Sequence, residues 1–183
     1  GNLFMFHAIH EEWGHAILLA AQLKKLKHQG DGSSIWDNYD NMGKWKEAEF
    51  ITRKSIKINP NLAINNSNLG GILSAIGKMK EAEEFTRKAI EINPNLAIAH
   101  SNLGSILYDI GLLDESEISL RKAIEINPNL ADANYNLGLV LNSLGSLKEA
   151  LKYIYKAIEI SPNLAEAHHT LGKIFIDDDK LDE

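Results

Sequence analysis

The chain has 183 residues, 44 % of them hydrophobic and 24 % charged, with a net charge of −6. This composition is globular rather than disordered, and the negative balance gives no general support to phosphate binding, so nucleic acid is not an expected partner. Cysteine is absent, which excludes disulfides, thiolate nucleophiles and cysteine-based zinc sites. No apolar run is long enough to span a bilayer, so no membrane partner and a cytoplasmic address are expected.

Residues 1–28 carry no repeat. Leu3 to His28 is predicted as one helix with Phe6, Ile9, Trp13, Ile17, Ala20 and Leu23 along one side. Glu11 and Glu12 lie early and Lys24, Lys25 and Lys27 late, as the helix dipole favours. The segment also holds His7, His10, Glu11, Glu12 and His15. The Glu12–His15 spacing is similar to the Glu-x-x-His element of ferritin-like di-iron helices, but only one such pair occurs. His7, Glu11 and His15 also fall opposite the Ile9–Trp13–Ala20 stripe, towards water. A capping helix is the expected role, with no metal and no cofactor; a metal-binding helical protein is the lesser alternative.

From there on the sequence is periodic. Pro60, Pro94, Pro128 and Pro162 stand 34 residues apart, each inside an Asn/Ser-Pro-Asn-Leu-Ala string. Full units span 63–96, 97–130 and 131–164. A degenerate unit precedes them at 29–62, and half a unit, a first helix alone, follows at 165–183. Each unit is predicted to be two helices. Gly77, Gly111 and Gly145, with Gly43 in the degenerate unit, end the first helix through a left-handed turn. The Asn-Pro step ends the second, because the residue before proline is pushed out of the helical region.

Small residues recur where two helices must cross: Gly70, Gly104, Gly138 and Gly172 in the first helices, Ala82, Ser116 and Ala150 in the second. Leu69, Leu103, Leu137 and Leu171 fill the space beside them. The degenerate unit departs from the pattern at Trp36 and Ser55, and Gly30–Ser34 weakens its first helix. A single hairpin cannot bury its own apolar face, so the units must stack.

The Leu103-Gly104, Gly111, Ala123 and Pro128 pattern, in register in every full unit, resembles the tetratricopeptide repeat signature. The resemblance covers 63–183 and extends more weakly to 29. It implies an all-α, right-handed superhelical solenoid of antiparallel hairpins, a tetratricopeptide-like scaffold that binds protein and has no enzymatic activity of its own. The Asn-rich consensus also resembles the repeats that precede O-linked N-acetylglucosamine transferase domains. That likeness implies the alternative of a substrate-presenting array within a larger enzyme, and the start at Gly1 fits a piece of something longer.

In the resembling repeats the first helices line a concave groove. Six residues into each unit stand Asn68, Asn102, Asn136 and Thr170, expected as a ladder along a peptide backbone, since an amide offers donor and acceptor together. Ser67, Ser74, Ser101, Tyr108, Asp109, Tyr135, Asn142, His169 and Lys173 are expected on the same face. Basic residues are scarce there, so neutral or mildly basic extended segments are the expected ligands. The charges of the second helices, including a Glu84–Lys88 pair, are expected to form a solvated outer face. Leu171, Ile174, Phe175 and Ile176 leave an apolar face open on the last helix, pointing to self-association or to a continued array.

Overall fold

The computed structural model describes the backbone of residues 35–179 and the side chains of residues 44–176. The predicted helix Leu3–His28, with its histidine and glutamate cluster, lies outside the described residues. Within them the protein is all-α: α1 Ile35–Ile58, α2 Ala63–Ala75, α3 Met79–Ile92, α4 Ala97–Asp109, α5 Leu113–Ile126, α6 Ala131–Ser143, α7 Leu147–Ile160 and α8 Ala165–Asp179. Two compact units divide at Pro94, one holding α1 to α3 and the other α4 to α8.

Two kinds of turn produce the helix–turn–helix path. Gly77, Gly111 and Gly145 sit at φ of 80°, 83° and 79°, where only glycine is unstrained. At the first of them the Gly77 N–H donates to the Ser74 carbonyl at 3.0 Å and the Lys78 N–H to the Leu73 carbonyl at 2.8 Å. This is the Schellman arrangement, which satisfies carbonyls that the helix end would otherwise orphan. The same two bonds recur at Gly111 and at Gly145. The second helices stop differently. Asn93 and Asn127 take φ −138°, ψ 95–96°, the extended conformation imposed by the following proline.

In the first unit α3 packs on α2 and α2 on α1. In the second, α4 to α8 stack in chain order, as a solenoid requires. Crossings are close at the expected glycines. A Cβ added at Gly138 would lie 2.6 Å from Ile154 Cγ1 and 3.1 Å from the Ala150 carbonyl oxygen. Gly70 is equally tight against Thr86, and Gly104 against Leu120. Leu120, Ala123, Ala133, Leu137, Val140 and Leu141 form one continuous core cluster of the second unit, and Ile154, Ala157, Leu164, Ala167 and Ile174 the next.

Two expectations are corrected. Gly43 does not end a helix, since α1 runs unbroken from Ile35 to Ile58. Glycine permits a left-handed turn without compelling one, and inside a helix it costs only about 1 kcal/mol. Gly172 meets no crossing among the described residues, none of which lies within 4 Å of its would-be Cβ.

Candidate functional site

The first helices carry the predicted ladder. Asn68 on α2 is half-buried, in the first unit; Asn102 on α4, Asn136 on α6 and Thr170 on α8 are half-buried in the second. Asn68 and Asn136 have no hydrogen-bond partner among the described residues, whereas Asn102 has one within the fold. The fourth position is occupied, because the Thr170 hydroxyl meets the Tyr135 hydroxyl at 3.0 Å. That contact spans consecutive first helices of the second unit. Tyr108 and Ser143 approach in the same way, at a longer 3.5 Å.

Tyr135 is a packed residue as well as a surface one. Burial pushes its phenol pKa upward and the nearby Glu166 adds to this, while the bond to Thr170 pulls the other way. Asp109, Asn142, His169 and Lys173 are exposed, and Asp109 holds a partner within the fold. Lys173 is the one lysine or arginine in the first helices α2, α4, α6 and α8. Ser67 and Ser101, expected on this face, are buried instead. Their register position in α6 and α8 holds Tyr135 and His169, which are long enough to emerge where a serine hydroxyl stays beneath its neighbours.

Two recurring devices escaped the sequence reading. The first lies four residues into the unit. Asn66 Nδ2 donates to the Pro60 and Leu62 carbonyls at 3.3 and 3.1 Å, and Asn134 Nδ2 to the Pro128 and Leu130 carbonyls at 3.1 and 2.9 Å. His168 Nε2 lies 2.8 Å from the Pro162 carbonyl oxygen. These side chains close the turn between units. The recurrence of Asn66 and Asn134 at one register position was the available signal.

The second device lies on the second helices. Arg121 Nε donates to Glu117 at 2.7 Å, and its Nη2 to Glu149 of the next hairpin at 2.7 Å. Its guanidinium carbon also sits 5.8 Å from the Tyr153 ring centroid. In the first unit Arg53 repeats the set with Glu49, Glu81 and the Phe85 ring. The charge face is therefore not merely solvated; it joins successive hairpins. The i,i+4 pair that forms in α3 is Arg87–Glu83, not the expected Lys88–Glu84.

Among the described residues no group of three His, Cys, Asp or Glu is placed to hold a metal ion. No described helix is long and apolar enough to cross a membrane.

These hairpins, with their glycine and proline turns in 34-residue register, are tetratricopeptide repeats. The chain belongs to that family, matching the family's models over residues 65–96, 106–145 and 131–164. A crystal structure of the MamA protein is 30 % identical, with 74 % of each chain covered and a TM-score of 0.60. YrrB, described as a TPR protein with an unusual peptide-binding site, is 24 % identical over 92 % of this chain and 87 % of its own, with a TM-score of 0.62. The first TPR of Spaghetti (RPAP3), solved bound to the HSP90 peptide SRMEEVD, is 24 % identical over 63 % of this chain and 92 % of its own, with a TM-score of 0.60. At that identity the last two establish the fold alone. No curated protein matches the sequence at a significant level.

Proposed function

We propose that the chain is a protein-interaction module that holds an extended segment of a partner against its first helices, with no catalysis of its own. The observation that carries this is an open amide in each unit, each taken by itself. Asn68 in one unit and Asn136 in the other stand half-exposed at the same register position, with no partner in the described fold. A half-exposed amide is open to solvent and to a ligand alike, and a peptide backbone offers both groups that an amide needs. Tyr108, Asp109, Tyr135, Asn142, Thr170, His169 and Lys173 supply the side-chain contacts in the second unit, beside Asn102. YrrB is described with a peptide-binding site and the Spaghetti repeat with a bound peptide, and both share the fold; the Asn-rich consensus, read as resembling the repeats that precede glycosyltransferase domains, gives the alternative setting. In that setting the chain would present substrates to a larger enzyme, and a cytoplasmic location would suit either role. The exposed apolar face of α8 is a second contact surface, suited to another copy of the chain.

The test uses peptides selected from a random phage-displayed library against the whole chain. Titrating the best of them into Asn136→Ala, Asn68→Ala and the triple Asn68/Asn102/Asn136→Ala variant should weaken binding roughly tenfold per lost bidentate contact, about 1.4 kcal/mol. Unchanged affinity with unchanged helicity would remove the ladder.

A further inference from the structure

Two sets of side chains in this fold each hold an arginine. In each, an aromatic ring stands one turn after a carboxylate on one helix, and a further carboxylate comes from another helix of the same unit. Glu149 and Tyr153 of α7, with Glu117 of α5, take Arg121. Its Nε and Nη2 donate to the two carboxylates at 2.7 Å, and its guanidinium carbon lies 5.8 Å from the ring centroid. Glu81 and Phe85 of α3, with Glu49 of α1, take Arg53 in the same way, 5.3 Å from the ring. A planar cation on an aromatic face, forked between carboxylates, is the chemistry of both.

A third set of this composition lies on the first helices of the second unit. Asp132 stands three residues before Tyr135 on α6, so the two share a face. The Tyr135 hydroxyl meets Thr170 of α8 at 3.0 Å, and Glu166 precedes Thr170 by one turn on that side of α8. Burial is the first reason that the Tyr135 phenol pKa is raised, and the charge of Glu166 is another, which places this carboxylate near the phenol. Asp132, Tyr135, Asn136, Glu166 and Thr170 are all half-buried. The composition is confined to α6 and α8. At the register of Asp132 and Glu166, α2 and α4 have Ile64 and Ile98, and at that of Tyr135 they have the buried Ser67 and Ser101. A carboxylate in a first turn suits the helix dipole, but the two isoleucines show that these helices form without one.

No arginine occurs in α2, α4, α6 or α8, and their one lysine, Lys173, stands two turns beyond Glu166, about 10 Å along the helix. Asp132 and Glu166 each hold a contact within the fold. One contact does not exhaust a carboxylate: Glu49 accepts from Arg53 at 2.8 Å and from Lys78 at 3.0 Å. We propose that Asp132, Tyr135 and Glu166 seat one arginine side chain of the bound segment, next to the backbone that Asn136 holds. This rests on the peptide-binding reading and names its ligand class, an extended segment that carries an arginine. Lysine should fit less well, because a compact charge on a flexible stem neither stacks on the ring nor forks between two carboxylates.

The test selects peptides from a random phage-displayed library against the whole chain and, in parallel, against the Asp132→Asn/Glu166→Gln chain, with circular dichroism checking that both are equally helical. Selection on the wild type should enrich arginine at one position, and selection on the double variant should not. The best wild-type peptide is then synthesised with arginine or with citrulline, its neutral isostere, at that position. Citrulline should weaken binding to the wild type about fivefold and leave binding to the double variant unchanged. Tyr135→Phe keeps the ring and loses the bond to Thr170, so it should keep the arginine preference, whereas Tyr135→Leu should lose most of it. Selected peptides without an enriched arginine, yet weakened by Asn136→Ala, would overturn the seat and leave the peptide-binding reading standing. An equal loss on citrulline in the wild type and the double variant would put the arginine elsewhere and overturn the seat as well. Failure to select any peptide, or peptides indifferent to Asn136 and to both carboxylates, would remove the two readings together.

Discussion

Gly138 and Gly172 occupy the same place in their helices and face opposite surroundings. Replacing Gly138 with alanine drives a methyl into Ile154 and the Ala150 carbonyl, and overpacking of this kind costs about 1–3 kcal/mol. The same change at Gly172 meets no described atom within 4 Å and should stabilise α8 by up to about 1 kcal/mol through helix propensity. Urea unfolding of the two variants should therefore shift in opposite directions. A second residue-level test concerns Ser55 and Asn65. Asn65 Nδ2 donates to Ser55 Oγ at 2.8 Å, and both are buried. At these two register positions the later repeats have alanine: Ala99, Ala133 and Ala167 for the first helix, Ala89, Ala123 and Ala157 for the second. Either single alanine variant leaves a buried polar group unmatched, at about 1–3 kcal/mol. The double variant restores the alanine pair and should lose much less than the sum, which a double-mutant cycle would measure. Ser55 was legible in the sequence as a departure from the repeat. Its partner was not, because each substitution alone looks like drift and only the packing of α1 on α2 makes them one event.

The second helices show which parts of an element its own sequence discloses. Their ends were readable, since a proline or a glycine acts on the backbone beside it. Their electrostatic role was not, because Arg121 and Glu149 are 28 residues apart and nothing local ties them. Arg121 is stabilised as a cation by its hydrogen bonds to Glu149 and Glu117, yet its side chain is 39 % exposed. Arg121→Gln should thus cost less than about 1 kcal/mol at low salt, and the difference should shrink as salt rises. Chemical unfolding at two ionic strengths checks both statements. Glu49 is more enclosed. Burial raises its pKa, but the bonds and charges of Lys78 and Arg53 outweigh that and hold it below the usual 4.5. A carboxylate with a depressed folded pKa contributes stability that is complete above its unfolded value and is lost as pH falls through the folded one. The first unit of wild type should therefore weaken below about pH 4.5, and Glu49→Gln should remove that part of the acid dependence. The absent break at Gly43 belongs to this scale too. A glycine marks a turn only when the residues on both sides favour ending there, and α1 continues through.

Across the whole chain, the four-fold register decided the fold before any coordinate was known, because a period of 34 with fixed turn residues has few structural solutions. The face that would meet a partner was only half legible. Asn68, Asn102 and Asn136 were found by register. Whether each is free or already engaged depends on neighbours that register does not specify, as Thr170 and the buried Ser67 and Ser101 show. The units also differ in their cores. At the register position where the second unit buries Leu120 and Ile154, the first buries Thr52 and Thr86. Threonine fills less apolar volume and keeps a hydroxyl to satisfy, which Thr86 does by donating to the Ala82 carbonyl at 2.7 Å. Hydrogen exchange should accordingly report faster opening for amides of α1 and α2 than for those of α6 and α7. The turns carry one more implication. Every bond that shapes them lies within six residues along the chain: Gly145 reaches Asn142, Ser146 reaches Leu141, and Asn134 reaches Pro128. The turns are thus specified locally, whereas burial of each hairpin's apolar face depends on its neighbours. A gene could gain or lose one period in frame without disturbing any other turn, and the length of such a protein is free to drift by whole repeats while its architecture stays the same.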